Sequence, residues 1–353
     1  DPATGQAYAT SADESESYWV PYASMKFDLT DDLACAAQYR QPWGAYTDVG
    51  VDTAIALSSI EQKISSTDIG VNCSYRFDMG RGNLRLLGGL SYQYLHGEQT
   101  QLLLQGTVPS KFGIPSVFEA PAEYNGLARI GALDVDGAAA AWRVGLAYEV
   151  PEIALRAQLV YQSETDYDLT GTIANLFSTP IDVRSSATLP QSVEFKLQSG
   201  IAKGWLAFGS VKWTDWSIEN AIPFASSRSY FGGLIEPGRE ITRLNLYYRD
   251  GWKVSGGIGH KFTDALSMAS FVTWDRGVST GLSSQTDTWM LGLTGAYKPT
   301  PVFEVHLTGV LGLMTSGVKD DTVVAGEPNP KGTIADFGND LVSALSVSAK
   351  LKF

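Results

Sequence analysis

The sequence predicts an all-β fold, and within that class a membrane-spanning antiparallel β-barrel. Three observations predict it. Apolar and polar residues alternate with a period of two along about thirteen segments. The connections between those segments are alternately short and long. No run of about 18 apolar residues, and no convincing helical periodicity, interrupts the pattern. A composition of 44% hydrophobic and 18% charged residues is too ordered for a disordered chain, and 38 acidic against 26 basic side chains has the wrong sign for a nucleic-acid binder. Length alone, 353 residues, leaves two ordinary domains or one large β-structure. The 36 Gly, 16 Tyr, 14 Phe and 9 Trp favour many short strands and turns.

The alternation is clearest at the end of the chain, where Leu341, Leu345, Val347, Ala349 and Leu351 share one face and Ser346, Ser348, Lys350 and Lys352 the other. Phe303, Val305, Leu307, Leu311 and Leu313 alternate with Glu304, His306 and Thr308. Ile69, Val71, Cys73, Tyr75 and Phe77 alternate with Asp68, Asn72, Ser74 and Arg76. Similar strands are expected at 17–29, 33–42, 84–95, 140–150, 153–163, 190–201, 204–215, 252–262, 265–275 and 287–298. Short turns such as Thr30-Asp31-Asp32 and Ala202-Lys203-Gly204 alternate with long segments at 43–65, 96–139, 164–189, 216–251, 276–286 and 314–340. Short turns at one rim and long loops at the other are the layout of bacterial outer-membrane barrels; a soluble sandwich has no reason to segregate loop length.

In the strand at 204–215 the outward set is Trp205, Ala207, Gly209, Val211 and Trp213. Eight residues at about 3.3 Å each, tilted about 40°, separate the two Trp rings by roughly 20 Å along the membrane normal, close to the height of the apolar band. Single-chain bacterial barrels have an even strand number with both ends on the periplasmic side. About thirteen strands therefore place Ser17 outside the cell, so residues 1–16 are expected to be the remnant of a first extracellular loop, residues 17–353 the barrel, and the complete barrel about fourteen strands. The strands at 17–29 and 341–353 should not pair with each other.

The inward faces are mixed. Leu87, Leu206, Phe208 and Phe271 define a candidate apolar pocket beside the cations Arg85, Arg143, Arg156, Lys196 and Lys212, which are candidate anchors for a carboxylate. Apolar lumen surface in contact with water costs about 25 cal/mol per Å2, so a plug or greasy ligand should cover it. The long segment after Gly97 is strongly apolar: Leu102, Leu103, Leu104, Phe112, Ile114 and Phe118 are candidates for a capture groove, completed by Leu176 and Phe177 of the next long loop. Caps over the barrel mouth would have the same composition.

Several blocks resemble a known family. Val20-Pro21-Tyr22-Ala23-Ser24-Met25-Lys26-Phe27-Asp28-Leu29-Thr30-Asp31-Asp32 and Gln41-Pro42-Trp43-Gly44-Ala45 resemble the early strands of FadL/OmpP1/TodX-type outer-membrane transporters of long-chain fatty acids and other hydrophobic compounds. Leu189-Pro190-Gln191-Ser192-Val193, Val211-Lys212-Trp213-Thr214-Asp215-Trp216-Ser217 and Gly251-Trp252-Lys253-Val254 resemble later ones. The resemblance implies a fourteen-stranded barrel, entry of apolar molecules through a groove between the third and fourth extracellular loops, a lumenal pocket, and lateral exit into the membrane through a kink in the third strand. That strand would be 33–42, with Pro42 and Gly44 at the kink, since proline cannot donate to the ladder. Members also carry an N-terminal hatch with an Asn-Pro-Ala sequence, and neither is found in this chain.

The competing classes are an outer-membrane enzyme and a general or anion-selective diffusion porin. Catalysis would need a base with a nucleophile beside it, and His96, His260 and His306 have no evident serine partner. Gly256-Gly257-Ile258-Gly259 lies within a strand and precedes no helix, so it is not a phosphate loop. No zinc spacing occurs, and no cofactor is expected. Cys35 and Cys73 fall on neighbouring strands and one outward face. Adjacent-strand bridges have awkward geometry, so two free thiols are expected. The sequence thus leads to a monomeric outer-membrane channel whose partners are a hydrophobic small molecule and the surrounding lipids.

Overall fold

The computed structural model describes residues 14–57, 59–104, 128–329 and 332–352. Thirteen strands follow one another antiparallel, each paired with its predecessor: β1 (Ala23–Asp28), β2 (Leu33–Arg40), β3 (Glu61–Asp78), β4 (Asn83–Leu104), β5 (Ala128–Val150), β6 (Leu155–Gln162), β7 (Ser192–Ala202), β8 (Trp205–Thr214), β9 (Gly251–Lys261), β10 (Leu266–Arg276), β11 (Thr288–Thr300), β12 (Phe303–Met314) and β13 (Asp340–Leu351). The predicted order and count hold, with trimmed ends: the segment expected at 17–29 is paired only over Ala23–Asp28. Among the described residues β1 and β13 do not pair with each other. Glu14–Glu16 instead run beside Gly44–Asp48, through the Ser15–Thr47 bridge and the Asp48 N–H to Glu14 carbonyl bond of 3.1 Å.

The alternation sorts the side chains as expected. Leu86, Leu90, Leu291, Leu293, Leu307 and Leu311 are exposed on the outer surface, where only lipid can cover such an apolar band. Phe77, Tyr148, Trp205, Phe262 and Tyr297 edge that band near the short turns. Tyr92, Tyr94, Trp142, Trp252 and Trp289 edge it on the opposite side. Each of β2 to β12 has a paired strand on both sides, the condition for crossing hydrocarbon. Tight turns close one rim: Thr30 Oγ1 accepts from the Leu33 N–H at 2.9 Å, and Gly204 takes φ +77°, which favours glycine.

At the other rim, parts of the expected long loops are strand. β3, β4 and β5 run 18, 22 and 23 residues, well beyond the bilayer, and their extensions recruit further strands. Gly44–Asp48 adds to β3. The hairpin Thr165–Ala174 with Ile181–Leu189 adds to β5, and Ala221–Ser226 with Glu240–Asn245 adds to that hairpin. The inner face of this extracellular sheet carries the main core, with Tyr167, Leu169, Ile173, Ile181, Val183, Phe224 and Ile235 nearly inaccessible. The described strands within the segments expected as loops at 43–65, 96–139, 164–189 and 216–251 therefore form a second, water-facing layer of the same sheet.

One expectation is corrected. Cys35 and Cys73 form a disulfide rather than two free thiols. The β2–β3 register sets the two residues directly opposite each other with Cα atoms 4.0 Å apart, so the ladder itself brings the sulfurs together.

Candidate functional site in the lumen and its extracellular mouth

The inner faces of β2 to β5 converge on one carboxylate. Asp68 is fully buried, and its oxygens accept from Gln38 Nε2 (3.3 Å), Arg40 (3.1 Å), Ser91 Oγ (3.0 Å), Gln93 Nε2 (2.8 Å) and Arg143 (3.3 Å). Tyr167 of the extracellular hairpin donates to Gln93 Oε1 at 2.7 Å. Burial, reinforced by the Asp68 charge, raises the Tyr167 pKa, so its phenol stays a donor. Each member sits at an inward position of its own strand, and only strand register brings them together. Of this hub the sequence singled out only Arg143 as a candidate; the available signal was the inward polar parity of Gln38, Arg40, Asp68, Ser91 and Gln93.

Directly above Arg40 the β2 ladder breaks. Pairing runs to Arg40–Asp68 and resumes at Gly44–Ser65, so three residues, Gln41, Pro42 and Trp43, face two on β3. Pro42 has no N–H to give, which accounts for a break at this point. Ser66 bridges the gap: its Oγ accepts from the Trp43 N–H (2.9 Å) and donates to the Trp43 carbonyl (2.8 Å). Gly44 lies where pairing resumes.

The five candidate cations divide. Arg85 and Arg156 both face Glu149, at 2.9 and 3.5 Å; Lys196 pairs with Glu194 at 3.0 Å; Arg143 belongs to the Asp68 hub. Lys212 has no ion pair among the described residues. Its Nζ lies 5.8 Å from the centroid of the Trp43 ring, which packs edge-on against Trp216 at 5.1 Å.

The apolar candidates are also sorted by register. Phe208, Gly257, Phe271 and Gly292 form one cross-strand row through β8, β9, β10 and β11. Each ring lies over the neighbouring glycine, so that a Cβ built on Gly257 would meet Phe208 Cζ at 2.6 Å and one on Gly292 would meet Phe271 Cζ at 2.0 Å. Leu206 lies two residues below Phe208 on the same strand and face. Leu87, opposite Gly145, stands on a separate wall.

The groove candidates behave differently. Leu102 and Leu103 lie within β4, not a loop, and so point to opposite faces. Leu103 is buried in the core with Leu176 and Phe177, while Leu102 packs with Ala56 and Ile60. In this arrangement these four side chains form packed interior rather than an open groove, and Leu176 also borders the mouth cavity. Leu104 ends β4, and Phe112, Ile114 and Phe118 lie outside the described residues.

What opens at the mouth instead is a cavity of about 570 Å3 between the β3–β4 extensions and residues 240–248, 282–285 and 319–329. Beside it, Glu219 is buried and accepts the Thr188 N–H at 2.5 Å; burial raises its carboxyl pKa, and the Asp166 charge adds to the rise.

The histidines lie apart from one another. His96 bridges Glu98 (3.2 Å) and Asp136 (2.9 Å) on the outer surface, His306 meets Glu304 at 2.9 Å, and His260 lies between Trp205 and Phe262, edge-on to the latter. The metal-type atoms of His96, Glu98 and Asp134 lie within 4.8 Å of one another, again outside the lumen.

A transmembrane barrel with aromatic girdles, a lumen lined by paired charges and an apolar wall, and a cavity at its extracellular mouth is an outer-membrane channel. The chain belongs to the family described as outer membrane protein transport protein (OMPP1/FadL/TodX), which matches residues 2–307. Members are channels for hydrophobic compounds in the outer membrane of Gram-negative bacteria, and not enzymes. No curated protein matches the sequence. Among solved structures the fold resembles a Pseudomonas aeruginosa FadL homologue (TM-score 0.74, 17% identity, 95% of this chain and 78% of that one). It also resembles the Pseudomonas putida toluene transporter TodX (TM-score 0.63, 14% identity, 97% and 84%) and the CymD monoaromatic hydrocarbon channel (TM-score 0.60, 16% identity, 95% and 83%).

Proposed function

We propose that the protein takes up long-chain fatty acids or similar amphipathic molecules passively, as a monomer, through the extracellular mouth and the lumen, with sideways exit into the outer-membrane lipid at the Gln41–Trp43 interruption. The observation that carries the reading is the row Phe208, Gly257, Phe271 and Gly292, an apolar wall in a lumen where Arg85, Arg143, Arg156 and Lys196 are paired with carboxylates and Lys212 is not. Leu206 extends that wall, and Leu87 faces the lumen from another side. Such a surface gains about 25 cal/mol per Å2 when an acyl chain displaces water from it. Lys212 is the anchor for a carboxylate head, because Arg85, Arg143, Arg156 and Lys196 already have partners. The ladder interruption at Pro42 supplies an exit, since regular β2–β3 pairing stops at Arg40–Asp68 and resumes at Gly44–Ser65, with only Ser66 bonded to Trp43 in between.

The test uses vesicles containing the full chain, with labelled oleate, labelled toluene and labelled sucrose as separate cargoes. Oleate flux should exceed protein-free leakage, Lys212→Met should lower it at least threefold, and sucrose should stay outside. Free passage of sucrose without oleate flux would mark a diffusion porin. Toluene flux without oleate flux would move the cargo class to aromatic hydrocarbons.

A further inference from the structure

The cavity at the extracellular mouth has a chemistry that an apolar cargo alone does not require. Thr47, Gln62 and Gln99 are direct cross-strand neighbours on the inner face of the extensions, and Gln101 follows Gln99 on the same face. The side chains of Gln62, Gln99 and Gln101 line the cavity without a hydrogen bond to any described residue. From the facing wall and the floor, Asn245 Oδ1 and Ser59 Oγ are buried with no hydrogen-bond partner among the described residues. Buried polar atoms of this kind are costly unless something bonds to them. Ile64, Leu176, Ile241 and Leu244 are among the apolar residues of the lining, so polar and apolar walls stand side by side.

Charge narrows the choice of ligand. Glu14, Glu240, Asp321 and Glu327 line the cavity against Arg243 and Lys319, and Arg243 is already paired with Glu240 at 2.6 Å. A carboxylate would meet a wall of its own sign. It also only accepts, so the amide oxygens would face it unpaired. An ammonium only donates and would leave the amide N–H groups unpaired. A hydroxyl donates and accepts, and matches carboxamides in both directions.

Resting on the channel reading above, we infer that this vestibule is a binding site for the uncharged, hydroxyl-bearing head group of an amphiphile, as in a monoacylglycerol. It holds neutral amphiphiles at the mouth and so widens the cargo range beyond the carboxylates that Lys212 meets at a separate, deeper position.

Three probes with the same 9,10-dibrominated C18 chain separate the head groups: the glycerol monoester, the free carboxylate and the alkylammonium. Quenching of tryptophan fluorescence in the full chain, refolded into vesicles, reports binding as the probe is titrated at neutral pH. The Lys212→Met background removes the lumenal anchor from the comparison. The monoester should bind at least fivefold more tightly than either charged probe. Gln99→Leu with Asn245→Leu should bring all three within twofold of one another, while heat-modifiable gel mobility shows the barrel still folded. If that pair fails to fold, Gln62→Leu alone should reduce the ratio by at least half. Equal or tighter binding of a charged probe, or a preference that survives the substitutions, overturns the inference and leaves the channel reading standing. Quenching by none of the probes overturns both.

Discussion

Asn in place of Asp68 tests whether the lumenal hub holds the wall together. The substitution keeps the volume but removes the charge from an acceptor that is fully buried and bonded to five donors on three other strands. Removing one partner of a buried ion pair costs about 3–5 kcal/mol, because the other charge is left behind. Arg40 and Arg143 retain 26% and 15% side-chain exposure, so water recovers part of that loss. The expected cost of Asp68→Asn is therefore about 2–4 kcal/mol. Urea unfolding of the barrel in vesicles, followed by tryptophan fluorescence, measures it directly. Asp275→Asn is the control: its pair with Lys253 is 38% and 48% exposed and should be worth less than about 1 kcal/mol. A midpoint for Asp68→Asn within error of the control would show that the hub is a coincidence of side-chain placement and not a structural clamp.

The Cys35–Cys73 disulfide closes a loop with sequence separation 38, worth about 4 kcal/mol by chain entropy. Protein unfolded without reductant should show no reactive thiol, and Cys35→Ala with Cys73→Ala should unfold at markedly lower urea. Gly292→Val forces the Phe271 ring out of its position over Gly292 and should destabilise the barrel by about 1–3 kcal/mol in the same assay, whereas Gly295→Val, where a Cβ meets nothing within 4 Å, should be nearly silent. Glu219 has a raised carboxyl pKa in the folded state, chiefly from burial, so the folded state binds its proton more tightly than the unfolded chain does. The wild type should therefore lose stability relative to Glu219→Gln as pH rises from the ordinary glutamate range through the folded value, and the gap should be constant above it. A pH-independent gap would contradict the buried placement.

The spanning strands were legible because one face meets lipid and the other the lumen, which writes a period of two into the sequence; Ile69 to Phe77 is a clear case. Above the membrane that contrast fades. Leu103 is buried on the inner face against Phe177 and its neighbours, and Leu102 on the outer face against Ala56 and Ile60, so the Leu102-Leu103-Leu104 run shows no alternation and reads as an apolar loop. Register is the other missing quantity. The hub around Asp68, the row from Phe208 to Gly292, the glutamine row at the mouth and the opposition of Cys35 to Cys73 all follow from which residue faces which across strands. Parity predicts the face, not the partner. The lumenal cations illustrate the difference: all five were visible as inward, and pairing distinguished Lys212 from the rest.

The placement of charge explains how a lumen that carries several ions can still pass apolar molecules. Arg85 with Glu149, Lys196 with Glu194, and Arg40 and Arg143 with Asp68 bond to residues no more than two strands away on the same wall, so their fields are spent along the wall rather than across the opening. Opposed rings of free charge would instead order water across the lumen and favour ions. The hub also lies immediately below the one interruption of the β2 ladder, where Arg40 ties the last paired residue to Asp68 and Ser66 ties Trp43 across the gap. A break flanked by such fixed points has a defined width. The extracellular extensions add a further constraint, because Tyr167 reaches down to Gln93 and so joins the water-facing layer to the same hub. Mouth, hub and interruption form one bonded path along the inner wall, and the apolar row from Phe208 to Gly292 is left as the surface on which a greasy molecule displaces water.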